Sequence, residues 1–431
     1  MKVIIIGAGI GGASAGIALK RLGHEVVMYD QMTENKPVGA ALSLWSNGVK
    51  VLNWLGLADE VAALGGRMDD MAYLDGHTGE TLCQFSLAPV TAQTGQRPYI
   101  VARADLQTLL MQRFGMDDIR LGARLVGLTA NGAIVTATFA DGSTDTTDLL
   151  IGADGGRSFA RDYVTGAAEG GPRIERTYAG YTNFNGLIPI DEAIGPANQW
   201  TTYVAEGKRC SVMPVAGGRF YFFIDIPQPA GVPYDRAEGK QPLEAAFAGW
   251  APGVRVLLDT IDPEASLNRV EIWDVDPFHS WVRGRVAILG DAAHNTSPDI
   301  GQGACSALED TFALAGPEQR TSGGPRRLRP AGNGSLFRHR PDAAPRWSGG
   351  RWRGRSRSSA RAGSIRCRTP GGAERADACR GDPTGPRRRH DPDHPARRQD
   401  RRWAVCGGGP AGRSAATDDW TRPQAAGSSA D

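Results

Sequence analysis

The chain has 431 residues, with 49 Lys and Arg against 47 Asp and Glu, a formal net charge of +2. That average conceals two segments: residues 316–431 hold 25 Arg, no Lys and 11 acidic residues, a net of +14, so residues 1–315 carry −12. The last 116 residues contain only Leu328, Leu336, Phe337, Ile365 and Val405 from the Leu/Ile/Val/Met/Phe set, too few to offset the entropy of ordering them, which excludes one uniform globular protein. Taken in chain order, 2–6 is a β-branched run that fits a strand buried on both faces. A glycine turn over 7–12 leads to a helix over 13–22, Gly23 stops it, and 25–30 is a second strand. This βαβ unit predicts an α/β fold with a parallel sheet. Helical spacing recurs over 47–57 and 104–114, and 120–129, 133–139 and 149–151 read as strands, with an Asn131-Gly132 turn between the first two. Residues 173–266 change character: 178–188, 200–205, 209–215 and 219–226 alternate, are rich in aromatics, and predict an antiparallel sheet. The parallel signal returns at 285–289, followed by a helix over 304–315.

The expected organisation is therefore a nucleotide-binding domain over 1–172, interrupted by a substrate-binding sheet over 173–266 and completed by 267–315, with a tail over 316–431. In the tail 30 of 116 residues are Gly or Pro and no helical or strand period survives. A disordered, nucleic-acid-binding arm is one reading of its Arg clusters, but no RNA fold or repeated Arg-Gly motif accompanies them. A shifted reading frame in a GC-rich gene explains more, because it yields Arg, Gly, Pro, Ala and Ser without period and starts abruptly inside a helix. A family-like helical sequence in another frame of the coding DNA after Ala315 would establish it.

Cys83, Cys210 and Cys305 lack paired spacing, so neither a disulfide framework nor a metal site is expected, and a reducing, cytoplasmic setting is. The apolar run 3–19 resembles a leader only superficially, since Gly7, Gly9, Gly11 and Gly12 interrupt it. No stretch is long and apolar enough to span a bilayer, and no membrane partner is expected.

Gly7-Ala8-Gly9-Ile10-Gly11-Gly12 matches GxGxxG between a strand and a helix. Gly7 permits the tight turn, Gly9 lets backbone approach a pyrophosphate at the helix N-terminus, and Gly12 lets helix and strand pack closely. Asp30 ends the second strand, where it can accept from a ribose hydroxyl. Two further motifs, Asp154-Gly155-Gly156-Arg157-Ser158-Phe159-Ala160-Arg161 and Gly290-Asp291-Ala292-Ala293-His294, each close a strand. With the first, they resemble the three fingerprints of the group A flavoprotein monooxygenases, the para-hydroxybenzoate hydroxylase-like enzymes. The resemblance sharpens to the FAD-dependent urate hydroxylases on strings such as Pro37-Val38-Gly39-Ala40-Ala41, Trp45-Ser46-Asn47-Gly48, Tyr178-Ala179-Gly180-Tyr181, Met213-Pro214-Val215 and Phe247-Ala248-Gly249-Trp250, and it covers about residues 1–315.

The resemblance implies a Rossmann-like FAD-binding domain and hydroxylation of urate to 5-hydroxyisourate, using NADH and dioxygen through a flavin C4a-hydroperoxide. It assigns flavin contacts to Gly11, Asp30, Gln31, Ser43, Arg103, Leu125, Asp154, Asp291, Gly301, Gln302, Gly303, Ala304 and Cys305. It makes Asn183 and Arg209 substrate contacts and gives Tyr221 a part in oxygen transfer. From the residues alone, Tyr221, set among Phe220, Phe222 and Phe223, reads first as a core aromatic with its hydroxyl satisfied, and Arg209 as a solvated edge charge. A three-residue loop, Ala216-Gly217-Gly218, would set Val215 opposite Arg219, Met213 opposite Tyr221 and Arg209 opposite Asp225. Odd-numbered residues would then share one face, with Arg209 and Tyr221 about 13 Å apart along the sheet. His294 reads as a structural hydrogen-bonding group. The runner-up activity is hydroxylation of an aromatic acid such as salicylate, and a further alternative is an inactive product of a disrupted gene.

Overall fold

A computed structural model describes residues 1–34 and 40–316, together with the backbone of two short strands, Trp347–Ser348 and Arg351–Trp352, that pair antiparallel. The chain divides into Met1–Arg357 and Ser358–Asp431; the second unit, most of the expected disordered or frame-shifted tail, and Pro37-Val38-Gly39 lie outside the described residues.

The first sheet runs in the order Val282–Arg283, Val286–Ile288, Leu149–Gly152, Lys2–Ile6, Glu25–Tyr29, Ile119–Arg120, and is parallel except for the first pair. Lys2–Ile6 sits inside it with both faces covered. Val3 and Ile5 pack with the helices Ile10–Arg21, Arg103–Phe114 and Gly303–Ala315. Ile4 and Ile6 pack on the opposite side with the helix Phe159–Thr165 and the small sheet of Leu125–Asn131, Ile134–Phe139 and Thr144–Thr147. Strand side chains alternate between faces, so a strand covered on both sides must be apolar at every position, as Val3-Ile4-Ile5-Ile6 is.

The second sheet has seven strands in the order Asn268–Val275, Arg176–Pro189, Arg219–Pro227, Lys208–Val215, Gln199–Ala205, Asp70–Asp75, Thr81–Ser86. It extends beyond 173–266 at both edges, and Asp70–Asp75 joins Gln199–Ala205 in parallel while the other pairs are antiparallel. One face carries Cys210, Val212, Phe220, Phe222 and Ile224 against the helices Gln241–Ala246 and Pro252–Thr260. The other face carries Met213, Val215 and Phe223, packed with Ile100 and Ala102 of the three-stranded sheet Ala41–Leu44, Tyr99–Ala102, Gly65–Arg67.

Two expected elements are broken. The strand expected over 120–129 splits because Ile119–Arg120 pairs with the parallel sheet while Leu125–Asn131 pairs with Ile134–Phe139. The helix expected over 47–57 ends at Trp54, and Gly56, with φ +71°, turns the chain into a second helix, Ala58–Leu64. Among the described residues no helix is long and apolar enough to cross a membrane, and no group of His, Cys, Asp and Glu could hold a metal ion.

Candidate active site

One cavity of about 380 Å³ runs from the glycine turn after Lys2–Ile6 to the open face of the seven-stranded sheet. At the turn, Gly7 has φ +108° and a Cβ there would lie 2.2 Å from the Ala153 carbonyl oxygen; a Cβ on Gly12 would lie 1.9 Å from that of Gly7. Packing therefore demands glycine at both. A Cβ on Gly9 would meet nothing within 4 Å, and Gly9, Gly11 and Gly12 line the cavity where the helix Ile10–Arg21 begins. That division of labour suits a turn that must bring backbone N–H groups up to a phosphate.

Asp30 lies outside the cavity lining and braces the turn. Its Oδ2 accepts the Ala8 N–H at 2.6 Å and its Oδ1 accepts the Met32 N–H at 2.8 Å, leaving lone pairs for a further donor. Gln31 follows it on the exposed surface, and Leu125 is buried in the apolar cluster behind the parallel sheet.

The second and third motifs are tied to each other by Arg161. Its buried guanidinium donates to the carbonyls of Gly156 at 2.9 Å, Asp291 at 2.6 Å and Ala292 at 2.7 Å. Asp154 organises the helix beside it, accepting from Ser158 Oγ at 2.5 Å, Phe159 N at 2.8 Å and Ala160 N at 3.0 Å; burial raises its pKa against those bonds. Its neighbours Ala153 and Gly155 line the cavity, as do Gly290 and Asp291. Asp310, on Gly303–Ala315, accepts from Gly290 N at 2.8 Å and bonds His294 Nε2 at 2.7 Å. Burial alone would lower the His294 pKa, but the Asp310 carboxylate outweighs it and raises it.

The loop Pro298–Ile300 turns at Gly301, φ +62°, into Gly303–Ala315, and Gly301, Gly303 and Ala304 face the cavity beside Ser43. Gln302 and Cys305 instead pin this loop from behind. Gln302 Oε1 accepts from Asn47 Nδ2 at 3.0 Å, and Cys305 Sγ accepts from Trp45 N at 3.3 Å. Burial pushes the Cys305 thiol up to about 11, which keeps it protonated and inert.

At the sheet end the hairpin register is the expected one: Val215 faces Arg219, Met213 faces Tyr221 and Arg209 faces Asp225. Arg209, Met213, Tyr221 and Phe223 consequently line the cavity together, joined by Asn183, Asn185 and Trp200 from neighbouring strands. Arg209 Nε donates to Asp225 Oδ2, and Arg209 Nη2 donates to Asp299 Oδ1 at 2.6 Å. Burial would lower the Arg209 pKa, but those two carboxylates raise it, so the group stays cationic. Asp299 also accepts from Tyr181 Oη at 3.1 Å and Ser297 Oγ at 2.7 Å. Burial, then the Asp225 charge, raises the Tyr221 pKa, leaving a neutral phenol. Among the described residues the Tyr221 hydroxyl has no protein hydrogen-bond partner.

Sequence reasoning assigned no role to Asp225 or Asp299. Asp225 had a usable signal, an acid directly opposite Arg209 in the expected hairpin; Asp299 had none, because its approach to Arg209 spans 90 residues.

A nucleotide turn, cross-linked strand-end motifs and an aromatic-lined sheet face meet on one cavity, an arrangement that suits a dinucleotide cofactor beside a small planar ring. The chain belongs to the FAD binding domain family, which matches residues 1–316. It is 59% identical over 316 residues to the FAD-dependent urate hydroxylase of Mycolicibacterium vanbaalenii, covering 73% of this chain and 78% of that protein. It is 50% identical over 321 residues to the FAD-dependent urate hydroxylase of Klebsiella pneumoniae, covering 74% and 82%. The crystal structure of Klebsiella pneumoniae HpxO complexed with FAD and uric acid superposes with a TM-score of 0.70 at 49% identity, covering 73% of this chain and 79% of that one. The family match ends at residue 316, where the periodic pattern of the sequence also ends. The residues present fit FAD: among the described residues the space in front of Gly9 is open, and Arg103, which lines the cavity, has a buried Nε without a partner.

Proposed function

We propose that this chain is an FAD-dependent monooxygenase that hydroxylates urate, converting urate, NADH, dioxygen and a proton to 5-hydroxyisourate, NAD⁺ and water. The observation that carries this reading is the single cavity that joins the glycine turn to the face bearing Asn183, Arg209 and Tyr221. Relatives named FAD-dependent urate hydroxylase, at 59% and 50% identity, support the substrate. Bound FAD supplies the redox chemistry, taking reducing equivalents from NADH and delivering one oxygen atom of dioxygen to the substrate ring.

The chain's own residues bind and orient. Gly9, Gly11 and the start of Ile10–Arg21 would hold the FAD pyrophosphate, Asp30 the ribose, and Ser43, Arg103, Asp291, Gly301, Gly303 and Ala304 the remainder. Arg209 uses two of its five N–H donors on Asp225 and Asp299, which leaves three for the anionic edge of urate. Asn183 offers an amide on the same face, and Tyr221 keeps its proton and donates it in a hydrogen bond to the ring. Trp200, Met213 and Phe223 wall the site and exclude water. Three free cysteines among the described residues support a cytoplasmic setting. The test is stoichiometry: one NADH and one dioxygen consumed per urate supports the reading, and NADH oxidation indifferent to urate refutes it.

A further inference from the structure

We propose that Asp225 is a positioning residue that orients Arg209 and Asn183 together, a role that rests on the urate reading above. The sheet register sets Asn183 opposite Asp225 on one side and Arg209 opposite it on the other, so the three stand in a row across adjacent strands. Asp225, only 4% exposed, is the middle member and is absent from the cavity lining that its two neighbours share. Its Oδ1 accepts from Asn183 Nδ2 at 2.6 Å, and its Oδ2 accepts from Arg209 Nε. It therefore acts through those side chains and not by touching substrate.

Each bond removes a degree of freedom that matters for recognition. A carboxylate only accepts, so the Asn183 amide must turn its nitrogen toward Asp225. Asn185 Nδ2 then donates to Asn183 Oδ1 at 2.7 Å, so flipping that amide would set donor against donor and acceptor against acceptor. Arg209 is held at Nε by a fixed strand residue and at Nη2 by Asp299 of the loop Pro298–Ile300, while its guanidinium carbon lies 5.2 Å from the Phe223 ring centroid. With Asp225 gone, Asp299 alone would hold the guanidinium, by one nitrogen, and the planar fork would be free to turn away from the ring it must match.

Charge and orientation predict opposite results, which makes the proposal testable. Neutralising Asp225 removes a negative charge from beneath Arg209, so electrostatics alone predicts tighter binding of anionic urate. Loss of orientation predicts weaker binding and wasted reductant. The experiment compares flavin-bound wild type, Asp225→Asn, Asp225→Ser, Arg209→Gln and the Arg209→Gln/Asp225→Asn double variant. Urate KM, urate consumed per NADH and hydrogen peroxide released are measured for each.

Wild type must first show urate-dependent NADH oxidation; its absence overturns the functional reading and this proposal with it. Given that activity, Asp225→Asn is expected to raise the urate KM roughly tenfold, the loss of one charge-assisted hydrogen bond. Urate consumed per NADH should fall and hydrogen peroxide rise to match. In the Arg209→Gln background the same change should move KM less than about twofold, because a residue acting through Arg209 has nothing left to position. Asp225→Ser, which leaves room for a water, carries the same expectations and covers poor folding of the Asn variant. A lowered or unchanged KM with intact coupling overturns the proposal, as does an undiminished effect in the Arg209→Gln background. Failure of both Asp225 variants to yield flavin-bound protein also overturns it, because Asp225 would then serve the fold.

Discussion

Replacing Tyr221 with Phe removes one oxygen atom from the sheet face of the cavity, where the proposed function seats substrate, and leaves the ring in place. That oxygen has no protein partner among the described residues, and the ring keeps its contacts, including the Phe223 ring at 6.0 Å. No internal bond is lost and no buried group is orphaned, so the stability of Tyr221→Phe should stay within about 0.5 kcal/mol of wild type. The whole cost falls on the substrate. A hydrogen bond to a charged acceptor contributes about 1.5–3 kcal/mol, so kcat/KM for urate should fall roughly 10- to 150-fold. The assay is urate-dependent NADH oxidation by flavin-loaded enzyme, alongside thermal melts and visible flavin absorbance. Unchanged kcat/KM would refute the placement of this hydroxyl against substrate. A drop in melting temperature matching the loss of activity would mean that the hydroxyl serves the fold.

Two glycines of the same turn should behave differently. Gly12→Ala drives a Cβ into the Gly7 carbonyl and should cost about 4 kcal/mol or more with loss of flavin, whereas Gly9→Ala should fold normally yet bind FAD weakly; similar melting temperatures for the two would contradict this reading. The His294–Asp310 pair makes a pH prediction. Because its folded pKa is raised, His294 contributes stability that is fully present below its unfolded pKa of about 6.5 and is lost as pH rises through the folded value. The gap in melting temperature between wild type and His294→Asn should therefore narrow as pH rises from acid to alkaline, and a gap that widens counts against the pair.

The hairpin that carries Arg209 and Tyr221 was legible because a loop of three residues sets strand parity. Gly217 and Gly218, at φ +79° and +66°, make that loop, and every opposing pair follows from it. The glycine turn was legible for a similar reason, since Gly7 and Gly12 answer local steric demands while Gly9 leaves open space in front of the helix start. The addition of Asp70–Asp75 beside Gln199–Ala205 was not, because a parallel pairing between strands more than a hundred residues apart leaves no local mark. The same limit hid Asp299, whose partners Tyr181 and Arg209 come from other strands. Asp225 was visible as a charge opposite a charge, but its second bond, to Asn183, depends on a strand pairing that periodicity alone does not define. Gln302 and Cys305, at the start of the helix Gly303–Ala315, are absent from the cavity lining because their side chains are held by Asn47 and by the Trp45 backbone, partners far away in sequence.

The measurement that tests the central claim most directly is product formation by the purified, flavin-bound chain with NADH under air, offered urate or salicylate. The account predicts that urate accelerates NADH oxidation, that 5-hydroxyisourate forms with it, and that salicylate does neither. Salicylate-stimulated hydroxylation without any response to urate would contradict it.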